Sequence, residues 1–250
     1  MNTRRTSFLW KTLASVLTAL TLFAILVPSA SAQPSLGGGT DLIFTDDFET
    51  GNLATWDMFK GDGGDLVVRR KALYQGKWGL EALIDDRTPI YAMDRFPALL
   101  ERYRARFYVN TDALKMAEGT SHPIFAGKDF DFQWDFGVIL GKNDSSYWIR
   151  TQGSQDDGTE VFSYPYEIGA GWHSIEIEWV SGVPGRLKLW IDGTLKQSIG
   201  LNNPSRSLTR AYLGALGGID PTTSGSLYFD NFESRKTTYI GGDVQQDDSK

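Results

Sequence analysis

The chain has 250 residues, no cysteine and a formal net charge of −6 at pH 7. The missing cysteines exclude disulfides, thiolate metal sites and lipid attachment through cysteine, and an acidic chain is a poor partner for nucleic acid. A chain of this length can bury one large all-β core without a second domain, and we expect a monomer.

Residues 1–32 have the pattern of a secretory signal peptide. Three basic residues precede an apolar run at 13–27, and an Ala-Ser-Ala cleavage site follows at 30–32. A membrane anchor is the alternative, but the run is shorter than the roughly 20 residues that a spanning helix needs. Cleavage lowers the 25 Lys and Arg to 22 against 31 Asp and Glu, a net charge of −9. The mature protein is therefore predicted to be secreted, either extracellular or periplasmic, with no stable membrane span.

The remaining chain divides into a small-residue linker at 33–40, a domain at 41–236 and a flexible acidic tail at 237–250. Within the domain, about eleven short alternating runs are separated by Gly, Asn, Asp and Pro. This pattern predicts an all-β fold, a two-sheet antiparallel β-sandwich or jelly roll with about eleven or more strands. The only helix-like stretch is 111–118. Three tryptophans are predicted to fill the core: Trp134, Trp172 and Trp179.

Two acidic segments lie at opposite ends of the predicted domain. The first contains Asp47 and Glu49, and the second contains Asp230. First and last strands of a jelly roll usually lie side by side, so these carboxylates would repel unless they were separated, solvated or bridged by a cation. Calcium prefers such oxygen ligands. The alternative is that they are solvated edge charges that discourage aggregation.

Two predicted strands carry basic and aromatic side chains on their polar faces. These are Arg104, Arg106 and Tyr108 on one strand, and Trp148, Arg150 and Gln152 on the other. Guanidinium groups bind carboxylates or sulfates in bidentate fashion, and aromatic rings stack on sugars. If both strands line one sheet, they form a groove suited to an acidic polysaccharide. The alternative is an ordinary solvent face, in which arginine stems cover apolar surface.

Residues 172–191 contain two alternating segments joined by a Gly/Pro turn, which predicts an antiparallel hairpin. Its apolar face belongs to the core. Its polar face brings Glu176 and Glu178 beside Arg186 and Lys188, and cross-strand charge pairing is sufficient to explain all four residues.

The hairpin resembles those of the laminin G-like and concanavalin A-like jelly-roll families. The Phe48-Glu49-Thr50-Gly51 segment, followed by Trp56, also resembles the opening of β-sandwich carbohydrate-binding modules, in which an Asp-rich strand closes the domain. The turn at 72–79 matches those modules as well. The resemblance implies glycan binding outside the cell. It also implies a structural Ca²⁺ between the two ends, with Glu49 and Asp230 as ligand candidates and Asp47 as the next choice.

Catalytic signatures are weak. The Glu-x-Asp-x-x-Glu motif of jelly-roll glucanases does not occur, and Glu176-Ile177-Glu178 departs from it. A polysaccharide lyase needs a base such as His or Tyr. His122, with Tyr164 or Tyr166 as the acid, supplies the candidates for that role.

We therefore predict a secreted, non-catalytic, lectin-like β-sandwich that binds an extracellular or cell-surface polysaccharide or glycoconjugate, with an anionic ligand favoured. No organic cofactor is expected. The alternatives are a polysaccharide lyase or glycoside hydrolase of the same fold, or an adhesion module that binds protein.

Overall fold

The computed structural model describes residues 41–95 and 97–241. The predicted signal peptide, the linker at 33–40 and residues 242–250 of the predicted tail lie outside the described residues. Within these described ranges, seventeen strands form two antiparallel sheets. Among the described residues, no helix has the length and apolar character to cross a membrane.

Sheet A has nine strands: β1 (Leu42–Asp46), β3 (Leu66–Arg69), β4 (Gly79–Ile84), β6 (Arg102–Asn110), β7 (Leu114–Lys115), β13 (Trp172–Val180), β14 (Gly185–Ile191), β15 (Thr194–Leu201) and β17 (Ser224–Arg235). Sheet B has eight: β2 (Met58–Lys60), β5 (Ile90–Asp94), β8 (Ser121–Lys128), β9 (Trp134–Asn143), β10 (Ser146–Ser154), β11 (Glu160–Phe162), β12 (Tyr166–Ile168) and β16 (Arg210–Ala215). The predicted all-β, two-sheet antiparallel sandwich is confirmed.

The order of strands determines which side chains meet. Sheet A runs β15-β14-β13-β6-β17-β4-β3, and β1 and β7 also pair with β17. The first strand therefore lies beside the last, with Asp46 opposite Phe232. Sheet B runs β11-β10-β9-β8-β16-β5-β2, and β12 also pairs with β10.

The predicted hairpin forms from β13 and β14, where Glu178 lies opposite Lys188. The other edge of β13 pairs with β6, where Glu178 lies opposite Arg104. Burial alternates along β14 as the sequence pattern predicts. The hairpin therefore contributes one face to the core and one to the outside of the sandwich.

The core consists of apolar side chains from the inner faces of both sheets. Tyr103 of sheet A packs 6.1 Å from Phe136 of sheet B, and Phe107 packs 5.2 Å from Phe125, between ring centroids. All four residues, and Trp179, have no exposed surface. Because the inner faces are filled, a ligand must bind on an outer face or at an edge of the sandwich.

Two local expectations were wrong. Residues 111–118 form a turn and the short strand β7 rather than a helix. Trp134 and Trp172 are half-buried on outer faces instead of in the core. Trp172 shares the outward side of β13 with Glu176 and packs 5.6 Å from Tyr74 between ring centroids. The pairing of β8 with β9 has an irregularity that takes the register from Gly127↔Phe136 to Lys128↔Trp134. This extra residue, Asp135, reverses the alternation that the sequence pattern assumes.

Candidate functional site

The two basic and aromatic strands of the sequence prediction lie in different sheets. Arg104, Arg106 and Tyr108 are on β6 of sheet A, whereas Trp148 and Arg150 are on β10 of sheet B. Gln152 is also on β10. A single groove lined by both strands therefore does not form, and each outer face has to be considered separately.

On sheet A the arginines are neutralised by carboxylates. Arg104 Nη2 lies 3.0 Å from Glu178 Oε1, and its Nη1 lies 3.3 Å from Glu176 Oε1. Arg106 Nη2 lies 3.7 Å from Glu233 Oε2. The ring of Tyr108 stacks on Tyr74 at 4.0 Å between centroids. These side chains are engaged with the protein itself.

Glu178 is the centre of this network. Its side chain has no exposed surface and forms ion pairs with four cations: Arg102, Arg104, Arg186 and Lys188. Burial alone would raise its pKa, but hydrogen bonds from Arg186 and Arg102 and the charge of Arg104 hold the pKa at about 2. Glu178 is therefore a fixed anion in the structure. The predicted pairing with Arg186 and Lys188 is confirmed for this residue.

The outer face of sheet B is built differently. Gln152, Gly137, Ala126 and Tyr212 lie side by side on β10, β9, β8 and β16. Ala126 has no exposed surface and Gly137 is buried, so larger neighbouring side chains cover these small residues.

Two indole rings lie over glycines of β9. A Cβ on Gly137 would lie 3.2 Å from Cζ3 of Trp134, and a Cβ on Gly141 would lie 2.0 Å from Cζ2 of Trp148. Trp134 is half-buried, whereas Trp148 is only 8% exposed. Trp134 can therefore contact a ligand, and Trp148 supports the residues above it.

Three cations on this face have no carboxylate partner among the described residues: Lys128, Arg150 and Arg210. Arg150 is held between aromatic rings, with its guanidinium carbon 5.2 Å from the Trp148 centroid and 4.6 Å from that of Phe162. Its Nε is buried and has no hydrogen-bond partner among the described residues. Arg210 donates to backbone carbonyls and packs 4.3 Å from the Phe132 centroid.

Lys128 lies between two rings at the centre of the face. Its Nζ is 4.9 Å from the Trp134 centroid and 5.2 Å from that of Tyr212. Burial lowers the pKa of Lys128 and raises the pKa of Tyr212. We call the set Lys128, Trp134, Arg150, Phe162, Arg210 and Tyr212 the aromatic–cationic face.

Of this face, sequence reasoning found Arg150 and missed the other five residues: Lys128, Trp134, Phe162, Arg210 and Tyr212. The residue types of β16, in which Arg210 and Tyr212 flank the apolar Ala211, were a usable signal, and Tyr212 itself is 5% exposed. The placement of Trp134 was not recoverable from alternation, because it depends on the irregular pairing beside Asp135.

The lyase candidates do not come together. His122 lies opposite Leu140 and points into the core; neither ring nitrogen has a hydrogen-bond partner among the described residues. Burial lowers its pKa to about 4. Tyr164 is 72% exposed, and the Tyr166 hydroxyl is within hydrogen-bond distance of Gln197 Oε1 at 3.0 Å.

The acidic ends meet at the loop 74–78. Glu49 Oε1 accepts hydrogen bonds from the amides of Lys77 and Trp78, at 2.6 and 3.0 Å. Asp230 Oδ2 accepts from the amides of residues 74 and 75, at 2.7 and 3.1 Å. Burial and then the nearby charge of Glu49 raise the pKa of Asp230 to about 6, against the lowering effect of these amides. Asp47 Oδ1 accepts a hydrogen bond from the Glu49 amide at 3.1 Å, and Asp47 lines a surface pocket together with Gln75 of this loop.

Asp46, which the sequence reasoning did not single out, organises the first loop. Its Oδ2 accepts hydrogen bonds from the Thr55 hydroxyl and from Trp56 Nε1, at 2.6 and 2.8 Å. Its Oδ1 accepts from the Phe48 amide. The residue is 4% exposed. Asp46 therefore has a structural role in anchoring Trp56.

No protein-family model and no curated protein sequence matches this chain. Its structure is similar to the endo-β-1,4-glucuronan lyase of the fungus Trichoderma reesei, with a TM-score of 0.59 and 13% identity over 78% of this chain and 95% of that one. It is also similar to the cellulose-induced protein Cip1, with a TM-score of 0.57 and 14% identity over 80% of this chain and 100% of that one.

A carbohydrate esterase of the Shiga toxin-encoding bacteriophage phi24B gives a TM-score of 0.57 and 9% identity over 80% of this chain and 100% of that one. At these identities the similarity concerns the fold alone. The chain has a jelly-roll β-sandwich fold of the concanavalin A-like type.

Proposed function

We propose that the protein binds an anionic polysaccharide on the aromatic–cationic face of sheet B. The observation that carries this proposal is the set of three cations, Lys128, Arg150 and Arg210, without a carboxylate partner among the described residues. Binding of a carboxylate or sulfate is most favourable at partly desolvated cations of this kind, because the ligand provides the negative charge that no protein carboxylate provides.

The contrast with sheet A supports the same assignment. There, Arg102, Arg104 and Arg186 all converge on one buried carboxylate of the protein, Glu178. The two faces carry similar cations, but those of the aromatic–cationic face on sheet B have no protein carboxylate as a partner among the described residues. The half-buried Trp134 and the 41% exposed Phe162 add ring faces on which a sugar can stack.

An open face suits a polymer better than a small ligand. Lys128 on β8 and Arg150 on β10 lie on opposite sides of the central strand β9, so cations flank the middle of the face. The structural neighbours named above include a glucuronan lyase and a carbohydrate esterase. We propose that the chain acts outside the cytoplasm as a monomer, in line with the signal-like pattern of residues 1–32.

The test is binding of polygalacturonate, alginate and a neutral β-glucan, measured by calorimetry with wild type and a Lys128→Gln, Arg150→Gln double variant. Each lost charge-assisted hydrogen bond costs about 1.5–3 kcal/mol, so we expect at least a tenfold rise in Kd for the acidic polymers. Lys115→Gln, which removes one exposed charge from β7, is the matched control. Unchanged binding by the double variant, or equal binding of the neutral glucan, would exclude the proposal.

A second candidate activity is cleavage of the same polymer by β-elimination, favoured by the position of Lys128 beside Tyr212. A base takes the C5 proton of a uronate, the C4–O bond breaks, the C4=C5 double bond forms and the departing oxygen takes a proton. Lys128 can be the base because burial lowers its pKa, and the Tyr212 hydroxyl can be the acid. A rise in ultraviolet absorbance that Tyr212→Phe abolishes is the expected sign; no rise with any uronate polymer rejects this activity.

We further propose that Glu49 and Asp230 hold a structural Ca²⁺. Both carboxylates face the loop 74–78, and no described residue donates a hydrogen bond to Glu49 Oε2. The raised pKa of Asp230 fits a site that gains from a neighbouring cation. The described residues hold no cluster of three or more acidic, His or Cys side chains, so backbone carbonyls and water would complete the ligand set.

A further inference from the structure

The first five residues of the predicted tail lie across the outer face of sheet A. Arg104 Nε donates a hydrogen bond to the carbonyl of Thr237 at 2.8 Å, and Arg106 Nη1 donates to that of Gly241 at 2.7 Å. In return, the amides of Ile240 and Gly241 donate to the two carboxylate oxygens of Glu176, at 3.0 and 2.9 Å. We call residues 237–241 the C-terminal strap.

An aromatic pair completes the contact. The ring of Tyr239 packs 5.5 Å from that of Trp190, and the Arg104 guanidinium lies 5.3 Å from the Trp190 centroid and 5.8 Å from that of Tyr239. The strap begins where Asp41 accepts hydrogen bonds from the amide and hydroxyl of Thr237. The segment is thus held at its start, along its backbone and by one ring.

The side chains beneath the strap are unusual for the outer face of a sheet. Arg104, Arg106 and Glu176 are only 7%, 6% and 3% exposed. Charged groups are seldom buried to this degree unless every charge is satisfied. Here the arginines pair with carboxylates of the sheet, and the strap adds main-chain hydrogen bonds that any chain could supply. The contacts therefore require a pattern of donors, acceptors and a ring rather than a particular sequence.

An acidic sugar offers the same pattern. Its carboxylate and ring oxygens accept hydrogen bonds from guanidinium groups, its hydroxyls donate to a carboxylate, and its apolar ring face stacks on an indole. Around the strap, Arg102, Arg186 and Lys188 remain 41%, 35% and 28% exposed while sharing the single anion Glu178. This surplus of cations favours an anionic ligand over a neutral one.

We infer that Arg104, Arg106, Glu176 and Trp190 form a second binding site, for an acidic sugar unit, which the C-terminal strap occupies within the same chain. The site lies on the sheet opposite to the aromatic–cationic face and does not depend on it. Release of the strap uncovers the site, and the chain then has a polysaccharide-binding surface on each side of the sandwich.

The experiment uses the Lys128→Gln, Arg150→Gln background, so that sheet B contributes little and a failure of the proposed function does not affect the result. A chain ending at Lys236 lacks the strap; a chain ending at Gly241 keeps it and controls for loss of the acidic residues at 243–248. With digalacturonate as the probe, we expect the first chain to bind about tenfold tighter than the second, the effect of one charge-assisted hydrogen bond. Trp190→Ala in the shorter chain should remove the gain.

A synthetic peptide with the sequence of residues 236–241 should compete with digalacturonate for the shorter chain. If the shorter chain does not fold, Tyr239→Ala in the full-length chain weakens the strap at its ring and should produce a smaller gain in the same direction. A folded shorter chain that binds no tighter than the control, or a gain that Trp190→Ala leaves intact, would overturn the inference.

Discussion

The indole ring of Trp148 covers Gly141 of the neighbouring strand so closely that a Cβ at position 141 would lie 2.0 Å from Cζ2 of the ring. Trp148 Nε1 donates a hydrogen bond to Asn143 Oδ1 at 3.0 Å, which fixes the ring in this position. The guanidinium of Arg150 in turn packs on the ring. The position of the unpaired cation Arg150 therefore depends on the absence of a side chain at residue 141.

Gly141→Ala should displace the Trp148 ring and, with it, Arg150. Overpacking of this kind costs about 1–3 kcal/mol, so we expect a lower melting temperature together with several-fold weaker binding of polygalacturonate. Gly200→Ala is the matched control, because it lies in strand β15 and a Cβ there meets nothing within 4 Å. If Gly141→Ala lowers stability but leaves Kd unchanged, ligand binding by Arg150 does not depend on the position of the Trp148 ring.

Phe132→Ala should weaken polysaccharide binding with little effect on folding. Phe132 is 58% exposed in the loop after β8, and Arg210 packs on its ring. Substitutions at exposed positions usually change stability by less than about 0.5 kcal/mol. We therefore expect a several-fold higher Kd at an unchanged melting temperature, with Leu195→Ala, which is 50% exposed on β15, as the control. If Phe132→Ala and Leu195→Ala bind the polysaccharide with the same Kd, the loop is not part of the binding surface.

Local alternation predicted the strands well because each face of a strand meets one environment. In β6, Tyr103, Ala105, Phe107 and Val109 are all fully buried, as their spacing indicates. Alternation cannot tell which sheet a strand joins, because that depends on pairing across the whole chain. For this reason Arg104 and Trp148 were placed together in the prediction and lie on opposite sides of the structure.

The contact of the C-terminal strap with sheet A was also not predicted from the sequence. Residues after 236 are rich in Gly and Asp and have no apolar period, which is typical of a flexible tail. The strap is nevertheless held, because Arg104 and Glu176 bind its main-chain groups rather than its side chains. Because these contacts use main-chain groups, the residue types of the strap do not indicate them.

His122→Leu should leave the protein folded and reduce the dependence of its stability on pH. Burial lowers the pKa of His122 from 6.5 to about 4, so the unfolded chain binds more protons than the native one in this window. The contribution of wild-type His122 to stability is complete above pH 6.5 and is lost as pH falls through 4. Leucine removes two buried nitrogens without hydrogen-bond partners among the described residues, so at pH 7 we expect a change within about 1 kcal/mol.

Urea unfolding at several pH values measures both effects, with His173→Gln as the control. His173 bonds to Asp192 at 2.8 Å outside the core. A fall of more than about 3 kcal/mol in the unfolding free energy of His122→Leu would contradict this prediction. So would a variant that still binds the polymer but no longer cleaves it, because a residue in the core has no access to the polymer.

Calcium should raise the melting temperature, and a chelator should lower it, if Glu49 and Asp230 form the proposed site. A ligand at 100 times its Kd stabilises the native state by about 2.7 kcal/mol. Glu49→Gln and Asp230→Asn should each abolish the response, whereas Asp86→Asn, on an exposed turn, should retain it. The absence of a calcium shift in wild type, with no metal found by elemental analysis, would end this proposal.

Glu178→Gln should destabilise the protein at neutral pH and change its acid unfolding. The pKa of Glu178 is lowered from 4.5 to about 2, so its contribution is complete above pH 4.5 and is lost as pH falls through 2. Removal of one partner of a fully buried ion pair costs about 3–5 kcal/mol. We expect about 2–3 kcal/mol here, since Arg102 and Arg186 reach solvent and can be hydrated after the loss.

The difference in unfolding free energy between wild type and Glu178→Gln should shrink as pH falls from 4.5 to 2, because wild-type Glu178 itself becomes protonated there. Glu101→Gln, at an exposed position just before β6, is the control, and its difference in unfolding free energy from wild type should not change with pH. A difference that stays constant with pH would show that Glu178 acts through packing rather than charge.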